Sequence, residues 1–371
     1  MKRKLALFLA VLTAVSVLTA CSAQTSAVSP FRKLSDDALA GAVDQAAQAF
    51  FDEEQPVGLS VGVLRDGRVQ FFNYGVKSEG GAAITEDTQF EIASVSKTMA
   101  GILLGTLSAD PGVKIETDNT VQQFMPYFEL PEYEGKPILW WHLSAHVSGL
   151  PRMPDNFVDG ENPYADYTAE DLRYYLSEQA HLYTEPGTEY VYSNLGVGLM
   201  GYAMSYAMRT PYETLLKSRV LWPLGMSNTK ITLSEQEEEN RAMPHTRLGT
   251  QVSQWDFAAL QACGGVKSTT YDLMLYLAAN MGQIPVESEY LEQGMAEAHK
   301  VWFDDGETAI GLGFIHGEVD GRPMLWHNGA TGGYRSFIGF VPETGTGVAV
   351  LCNSAIEVDD VAVQILSLMQ P

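Results

Sequence analysis

A serine and a lysine lie three residues apart in the segment Ser94-Val95-Ser96-Lys97, directly after the strand-like residues 90–92. If a helix begins at Ser94, this spacing places both side chains on one face of that helix. The positive end of the helix then favours negative charge developing on the serine oxygen. Ser94 is therefore predicted to be a nucleophile that works without a neighbouring histidine.

The proton of a serine hydroxyl needs a base before the oxygen can attack a carbonyl. Two candidates are present: Lys97, and Tyr192 in the downstream segment 192–194 (Tyr-Ser-Asn). Free lysine and tyrosine have pKa values near 10, so either group must be activated by burial or by a neighbouring charge. A coupled pair need not have a unique base. Both residues are therefore candidate catalytic groups, and Asn194 is a candidate donor to Lys97 or to a substrate amide.

The serine-lysine pattern alone is a weak signal, since both residues are common and roughly one chance match is expected in a chain of this length. Its combination with other segments is stronger. These segments are 146–150 (His-Val-Ser-Gly-Leu), 186–188 (Pro-Gly-Thr), 192–194 (Tyr-Ser-Asn), 223–226 (Pro-Leu-Gly-Met) and 327–329 (His-Asn-Gly). In order and spacing they resemble the serine β-lactamase and penicillin-binding protein superfamily, in its class C β-lactamase and D,D-peptidase branch. The resemblance runs from about residue 59 to residue 353.

This resemblance implies an α+β fold of the β-lactamase/transpeptidase type and a reaction through an acyl-serine, with no metal and no other cofactor. It assigns the oxyanion hole to the backbone N–H groups of Ser94 and Ala330. Gly329 and Ala330 belong to the segment that is expected to bind the substrate. His146 is interpreted as a structural residue of the loop that begins an insertion.

His327 is a departure from the family pattern, because class C β-lactamases carry a lysine there. The segment His327-Asn328-Gly329 instead resembles D,D-peptidases, D-amino-acid amidases and esterases. The imidazole offers a donor and, when protonated, a positive charge for a substrate carboxylate; the alternative is a strand histidine satisfied by its neighbours. Arg335 is a candidate replacement for the missing cation, or it faces solvent. Residues 156–167, aromatic and acidic, either rim the cleft or form a solvated loop.

The expected substrate is a small molecule or peptide. A D-alanyl, peptidoglycan-type peptide is the leading hypothesis, and a β-lactam or a carboxylic ester is the alternative. A different class of function is a penicillin-binding or sensor module with little turnover. The intact set of Ser94, Lys97, Tyr192 and Asn194 argues against that class, because a pure binding module does not need a base.

Residues 1–20 have the features of an export signal. Lys2, Arg3 and Lys4 precede the apolar residues 5–18, a stretch too short to span a membrane comfortably. The residues that end in Cys21 resemble a bacterial lipobox. Cys21 is thus predicted to be lipidated and residues 21–34 to be a tether, which makes the protein an exported, membrane-anchored lipoprotein of the bacterial cell envelope. The alternative is an ordinary secretory signal that is cleaved after Ala23 or Ala27.

The composition is that of an acidic globular protein. Of 371 residues, 46% are hydrophobic, and the formal net charge is −23. Beyond residue 20 there remain 20 basic and 46 acidic groups, a net charge of −26, which disfavours nucleic acid as a partner. Cys263 and Cys352 lie in apolar stretches and are predicted to be buried thiols. No spacing of Cys and His indicates a zinc site.

The order of predicted elements indicates one antiparallel sheet that is built from both ends of the chain and flanked by helices. Residues 35–107 and 256–371 are assigned to this sheet domain, and residues 108–255 to a mostly helical insertion. Ser35 is predicted to cap the first helix, and Ser268 or Thr269 a later one. The predicted strands are 59–64, 69–74, 310–317, 324–327, 334–341 and 347–353, and the last helix is 357–369.

Overall fold

The computed structural model describes residues 31–34 and 36–371. The predicted signal, the candidate lipidation site Cys21 and the candidate cap Ser35 lie outside these residues. The strands are β1 (Arg32–Lys33), β2 (Gly58–Arg65), β3 (Arg68–Gly75), β4 (Phe90–Glu91), β5 (Lys267–Ser268), β6 (Phe303–Asp304), β7 (Ala309–Ile310), β8 (Ile315–Val319), β9 (Arg322–Ala330), β10 (Arg335–Val341) and β11 (Thr346–Cys352). The helices are α1 (Asp37–Glu54), α2 (Ser96–Ala109), α3 (Trp140–Ser144), α4 (Ala169–Tyr174), α5 (Asn194–Met208), α6 (Tyr212–Leu216), α7 (Glu235–Glu238), α8 (Thr270–Asn280), α9 (Glu289–His299) and α10 (Asp359–Leu368).

One large sheet joins the two ends of the described chain. Its strand order is β1-β3-β2-β11-β10-β9-β8-β7-β6. The amino-terminal hairpin β2–β3 lies beside the last strand β11, with Val61 opposite Val350. All neighbours are antiparallel except β1 and β3, which run parallel. The predicted α+β fold, with an antiparallel sheet built from both termini, is confirmed.

Helices cover both faces of this sheet, as the contacts of β2 show. Leu59, Val61 and Val63 belong to the core that packs against α1 and α10. The intervening Gly62 faces the other side, where it approaches Thr270 and Met274 of α8. Because successive side chains of a strand point to opposite faces, a strand with helices on both sides is mostly apolar. Within β2 the exception is the buried Ser60, whose hydroxyl forms hydrogen bonds with the side chains of Asn73 and Thr270.

The turn between β2 and β3 lies between the predicted strands 59–64 and 69–74. Asp66 and Gly67 have φ values of 50° and 70°. Two successive residues with positive φ form the turn type whose twist matches an antiparallel hairpin, and an Asp-Gly pair adopts it readily.

The amino-terminal boundaries differ from the prediction. The tether was expected to extend to residue 34, but Arg32–Lys33 pairs with Arg68 and Val69 as a strand, and Leu34 is buried. The backbone N–H groups of Ala38 and Leu39 at the start of α1 are bound by the Asp36 carboxylate, which therefore caps the helix. Thr269, one of the two predicted candidates, caps α8 through the N–H of Asp272.

The segment 108–255 contains more loop than the predicted mostly helical insertion. Its named elements are helical and α5 is the longest, but residues 145–168 and 239–260 contain no helix. The first of these loops contains Pro151, Pro154 and Pro163. These prolines disfavour a helix there, since proline lacks the N–H that a helix needs.

Two further strand boundaries matter for the site. The predicted strand 310–317 is divided into β7 and β8 by a turn that contains Gly313, with φ of 81°. Strand β9 is longer than the predicted 324–327 and carries His327, Gly329 and Ala330 along the sheet. In the two described ranges, no helix combines the length and apolarity that crossing a membrane requires.

Candidate active site

Ser94 lies in a single 3₁₀ turn, Ala93–Val95, between β4 and α2. The helix itself begins at Ser96, two residues later than predicted. Ala93 has φ of 46°, an uncommon value for a residue with a side chain. Such backbone strain persists only where the surrounding structure enforces it. The turn places the Ser94 side chain at the wall of a cleft of about 660 Å³.

Three predicted catalytic side chains meet at the Ser94 oxygen. Lys97 Nζ donates a hydrogen bond to Ser94 Oγ over 2.9 Å, and the Tyr192 hydroxyl donates to the same atom over 2.7 Å. Lys97 is fully buried, and its Nζ also donates to the carbonyl oxygen of Cys263 at 2.5 Å. Both candidate bases are thus within direct proton-transfer distance of the serine.

Tyr192 is held by groups on the loop that contains His146. The His146 ring stacks on the Tyr192 ring, with centroids 4.4 Å apart. His146 Nδ1 accepts a hydrogen bond of 3.0 Å from the backbone N–H of Ser193. Burial, reinforced by the nearby charge of Lys97, holds the pKa of His146 well below its usual range. His146 is therefore a neutral ring that positions Tyr192.

Asn194 takes a different partner from the one predicted. Its amide nitrogen donates to the Tyr164 hydroxyl over 3.0 Å rather than to Lys97. Its side-chain oxygen is buried without a partner in the described structure. Asn194 and Tyr164 both line the cleft, so the amide remains beside the position that a substrate takes.

His327 is buried and is not among the residues that line the cleft. The side chain is 1% exposed, and its Nδ1 lies 2.6 Å from the carbonyl oxygen of Asn328. Burial, and then the charge of Lys97, lowers the pKa of His327 to about 3. The ring is therefore neutral at physiological pH, and the positive charge considered for a substrate carboxylate is absent.

The end of β9 lies directly against the turn that carries Ser94. A β-carbon added to Gly329 would overlap the carbonyl oxygen of Ile92 and would lie 3.0 Å from Ser94 N. Ser336 on the neighbouring strand donates a hydrogen bond of 2.8 Å to the same Ile92 carbonyl. Ala330 is exposed at the strand end and lines the cleft together with Ser94. This close approach brings together the two residues that were assigned to the oxyanion hole.

Arg335 does not supply a free cation. Its Nε lies 2.8 Å from a carboxylate oxygen of Glu357, and another nitrogen donates to the carbonyl oxygens of Thr331 and Tyr334. The two cysteines of the described chain, Cys263 and Cys352, are free and buried, as predicted.

An aromatic wall of the cleft is formed by Phe157, Tyr164, Trp255 and Phe257. Phe157 and Tyr164 belong to the segment 156–167, whereas Trp255 and Phe257 were not predicted from the sequence. Tyr164 stacks on Phe257 with centroids 4.4 Å apart, and it also contacts Phe157 and Trp255. Of the two interpretations of residues 156–167, the structure favours the rim of the cleft. The residues near 255 gave no periodic signal that could have indicated this position.

Glu91 is a further residue near the site that was not predicted from the sequence. It precedes Ser94 by three residues and is almost completely buried. Burial raises its pKa to about 7, although the N–H of Trp255 donates to it and the charge of Lys267 lies nearby. Buried groups with strongly shifted pKa values are common in active sites, and Glu91 lies in the strand that directly precedes the Ser94 turn.

A serine, a lysine and a tyrosine that converge on one oxygen beneath a cleft define the class of serine hydrolases that use an acyl-enzyme. Comparison with known proteins specifies the family. The Beta-lactamase family profile matches residues 43–367. A β-lactamase of Pseudomonas fluorescens is 28% identical over 343 residues, which cover 84% of this chain and 92% of that protein.

Solved structures share the fold. The crystal structure of a β-lactamase/D-alanine carboxypeptidase from Pseudomonas syringae superposes with a TM-score of 0.78 at 22% identity, covering 90% of this chain and all of that one. A class C β-lactamase superposes with a TM-score of 0.81 at 24% identity, covering 92% and 99% of the two chains. The chain belongs to the β-lactamase family and is a serine hydrolase of that family.

Proposed function

We propose that the protein cleaves an amide or ester through an acyl-serine formed on Ser94, and that a D-alanyl, peptidoglycan-type peptide is its substrate. The observation that carries this proposal is the pair of hydrogen bonds from Lys97 and Tyr192 to Ser94 Oγ. The structural relative from Pseudomonas syringae is described as a β-lactamase/D-alanine carboxypeptidase, which supports the substrate class.

In the proposed mechanism, Ser94 Oγ attacks the substrate carbonyl while Lys97 or Tyr192 accepts its proton. The backbone N–H groups of Ser94 and Ala330 stabilise the oxyanion, a type of interaction worth roughly 3–4 kcal/mol per donor in other enzymes. The accepted proton then passes to the leaving group. Attack by water on the acyl-serine releases the product, with the same base accepting the proton of the water.

The buried, neutral His327 favours a peptidase or esterase over an efficient β-lactamase. In class C β-lactamases a lysine occupies the corresponding place, and its charge suits the carboxylate that β-lactams carry. In this chain burial keeps the imidazole uncharged. β-Lactams are therefore expected to acylate Ser94 and to be released slowly.

A comparison of wild type with Ser94→Ala tests the nucleophile. Four probes are used: a fluorescent penicillin, a chromogenic cephalosporin, an acyl-D-alanyl-D-alanine peptide and a short-chain ester. Removing the nucleophile is expected to abolish penicillin labelling and to lower kcat for every hydrolysed probe by at least about 10³-fold. Undiminished turnover in Ser94→Ala would contradict the proposal.

The same probes separate the alternatives. Rapid turnover of the cephalosporin would make the protein a β-lactamase rather than a peptidase. Stable labelling by penicillin without turnover of any probe would indicate a binding or sensor module. Hydrolysis of the ester alone would identify an esterase.

We further propose that the protein is exported and anchored in the cell envelope by a lipid on Cys21. The basic and apolar pattern of residues 1–20 and the lipobox-like residues before Cys21 support this proposal. Metabolic labelling with an alkyne fatty acid is expected to mark the wild-type protein and not Cys21→Ala. Equal labelling of both proteins, or of neither, contradicts it.

A further inference from the structure

Arg152 is the basic side chain that lines the catalytic cleft, and it has no acidic partner in the part of the chain that the structure describes. The side chain is exposed, and its guanidinium carbon lies 4.9 Å from the centroid of the Tyr192 ring. The Tyr192 hydroxyl is in turn bonded to Ser94 Oγ. The Tyr192 side chain therefore contacts both the unpaired guanidinium of Arg152 and Ser94 Oγ.

The other basic side chains near the cleft are hydrogen-bonded, uncharged or paired with an acid. Lys97 is buried and donates to Ser94 and to the Cys263 carbonyl. His327 is neutral because of its burial. Arg335 pairs with Glu357. Arg152 is left as the group that can offer a full positive charge to a ligand.

The charge of the whole protein makes such a group necessary for an anionic substrate. The net charge is −23, and Asp159 and Glu357 also line the cleft. A carboxylate that enters this cleft meets an unfavourable field unless a local cation offsets it. A guanidinium suits this task, because its fork of N–H donors matches the two oxygens of a carboxylate.

The backbone around Arg152 is fixed to the elements that carry the site. The carbonyl oxygen of Arg152 accepts hydrogen bonds from the N–H groups of Asn194 and Leu195 at the start of α5. The carbonyl oxygen of Pro151 accepts a bond of 2.6 Å from Ser193 Oγ. These backbone bonds hold Arg152 at a set distance from Tyr192 and do not depend on its side chain, so a substitution at Arg152 leaves the loop in place.

We propose that Arg152 binds a carboxylate of the substrate and makes the enzyme selective for anionic amides and esters over neutral ones. The proposal rests on the proposed hydrolase function of Ser94. It assigns to a residue of the loop before α5 the charge recognition that His327 does not provide.

Matched substrates and matched variants test this selectivity. The ester pair is p-nitrophenyl valerate, which is neutral, and the mono-p-nitrophenyl ester of glutaric acid, which is anionic. The peptide pair is an acyl-D-alanyl-D-alanine and its carboxy-terminal amide. Arg152→Gln is compared with Arg173→Gln, which removes the same charge from an exposed arginine of α4 that does not line the cleft.

Arg152→Gln is expected to raise KM for the carboxylate-bearing member of at least one pair by about 10- to 100-fold, the usual range for losing a hydrogen bond between charged groups. For the neutral members, KM should change less than about threefold. Arg152→Lys should restore part of the preference, because it keeps the charge without the fork. Arg173→Gln should match wild type on every substrate.

Binding measurements keep this test separate from that of Ser94. Calorimetry with the peptide pair in Ser94→Ala reports the preference for a carboxylate without turnover, and that preference should vanish in the double variant with Arg152→Gln. The proposal is overturned if the preference survives in Arg152→Gln, if neutral and anionic probes lose affinity equally, or if wild type has no preference in either pair. Full turnover by Ser94→Ala would instead refute the nucleophile assignment. The calorimetric comparison would then still test whether Arg152 causes the preference for a carboxylate.

Discussion

Burial, reinforced by the nearby amine of Lys97, keeps the two histidines around Ser94 uncharged. His146 and His327 both have lowered pKa values, first because they are buried and then because Lys97 lies close to them. A cation disfavours a second positive charge nearby. The two imidazoles therefore remain neutral, and they serve to hold and enclose Tyr192 rather than to compete for the serine proton.

Glu91 shows how a single buried residue can affect both stability and activity. Its oxygen accepts a hydrogen bond of 2.9 Å from the Trp255 backbone, and it lies opposite Lys267 in the β4–β5 pair. This interaction connects the strand before Ser94 to the aromatic wall of the cleft. A change in the charge of Glu91 thus acts on the nucleophile turn and on the wall together.

Glu91→Gln should change how stability depends on pH. The folded-state pKa of Glu91 is about 7, above the usual value of 4.5 for a glutamate. The contribution of Glu91 to stability is therefore fully present below pH 4.5 and is lost as the pH rises to about 7. Since glutamine does not titrate, the Tm of the variant relative to wild type should rise across this window and level off above it.

Thermal unfolding of both proteins between pH 4 and 8 measures this difference. Glu129→Gln, a change at an exposed glutamate, is the control, and its Tm curve should run parallel to that of wild type. A constant difference between Glu91→Gln and wild type over the whole range would show that Glu91 does not titrate as described.

At the level of elements, the site forms where three separate segments end. Ser94 lies in the turn between β4 and α2, Tyr192 lies just before α5, and Ala330 ends β9. These three residues are far apart in the sequence; of the site residues, only Ser94 and Lys97 are close neighbours along the chain. The close packing of β9 against the Ser94 turn at Gly329 places Ala330 beside Ser94 in the cleft wall.

Gly329→Ala should therefore separate β9 from the Ser94 turn. The added methyl group would overlap the Ile92 carbonyl and the Ser336 hydroxyl, and overpacking of this kind typically costs about 1–3 kcal/mol of stability. We expect kcat to fall by at least about tenfold, because a shift of Ala330 would misplace the proposed oxyanion donor.

Gly41→Ala is the matched control for this change. Gly41 lies within α1, where an added β-carbon meets nothing within 4 Å, and alanine there should stabilise the helix by about 0.5–1 kcal/mol. Urea unfolding and turnover of the ester measure both effects. Equal activity and stability in Gly329→Ala and wild type would refute the close approach of β9.

At the level of the whole molecule, the sheet depends on contacts between distant parts of the chain. Strand β2 pairs with β11, so Leu59 lies opposite Cys352. Helices α1 and α10 pack over one face of the same sheet. Ordering the chain has a high entropic cost, which the mostly apolar strands offset by burial on both faces. The ends of the described chain therefore form the scaffold that positions the central segments.

The sequence by itself determined which residues are candidates for catalysis and where the local elements lie. Ser94, Lys97 and Tyr192 were identifiable because their types and order are unusual in combination, and the Asp66-Gly67 hairpin because its turn has a local conformational cause. The strands 59–64 and 347–353 were predicted to within a residue or two. Local patterns of this kind depend only on neighbours along the chain.

Only the tertiary structure decided which groups carry charge in the cleft and what surrounds them. Burial keeps His327 neutral, Glu357 forms an ion pair with Arg335, and the Tyr164 hydroxyl accepts a hydrogen bond from the Asn194 amide. Desolvation and pairing depend on residues that are far apart in sequence. For that reason the sequence could indicate how the protein reacts, whereas the folded chain was needed to single out Arg152 as the group that can select what it reacts with.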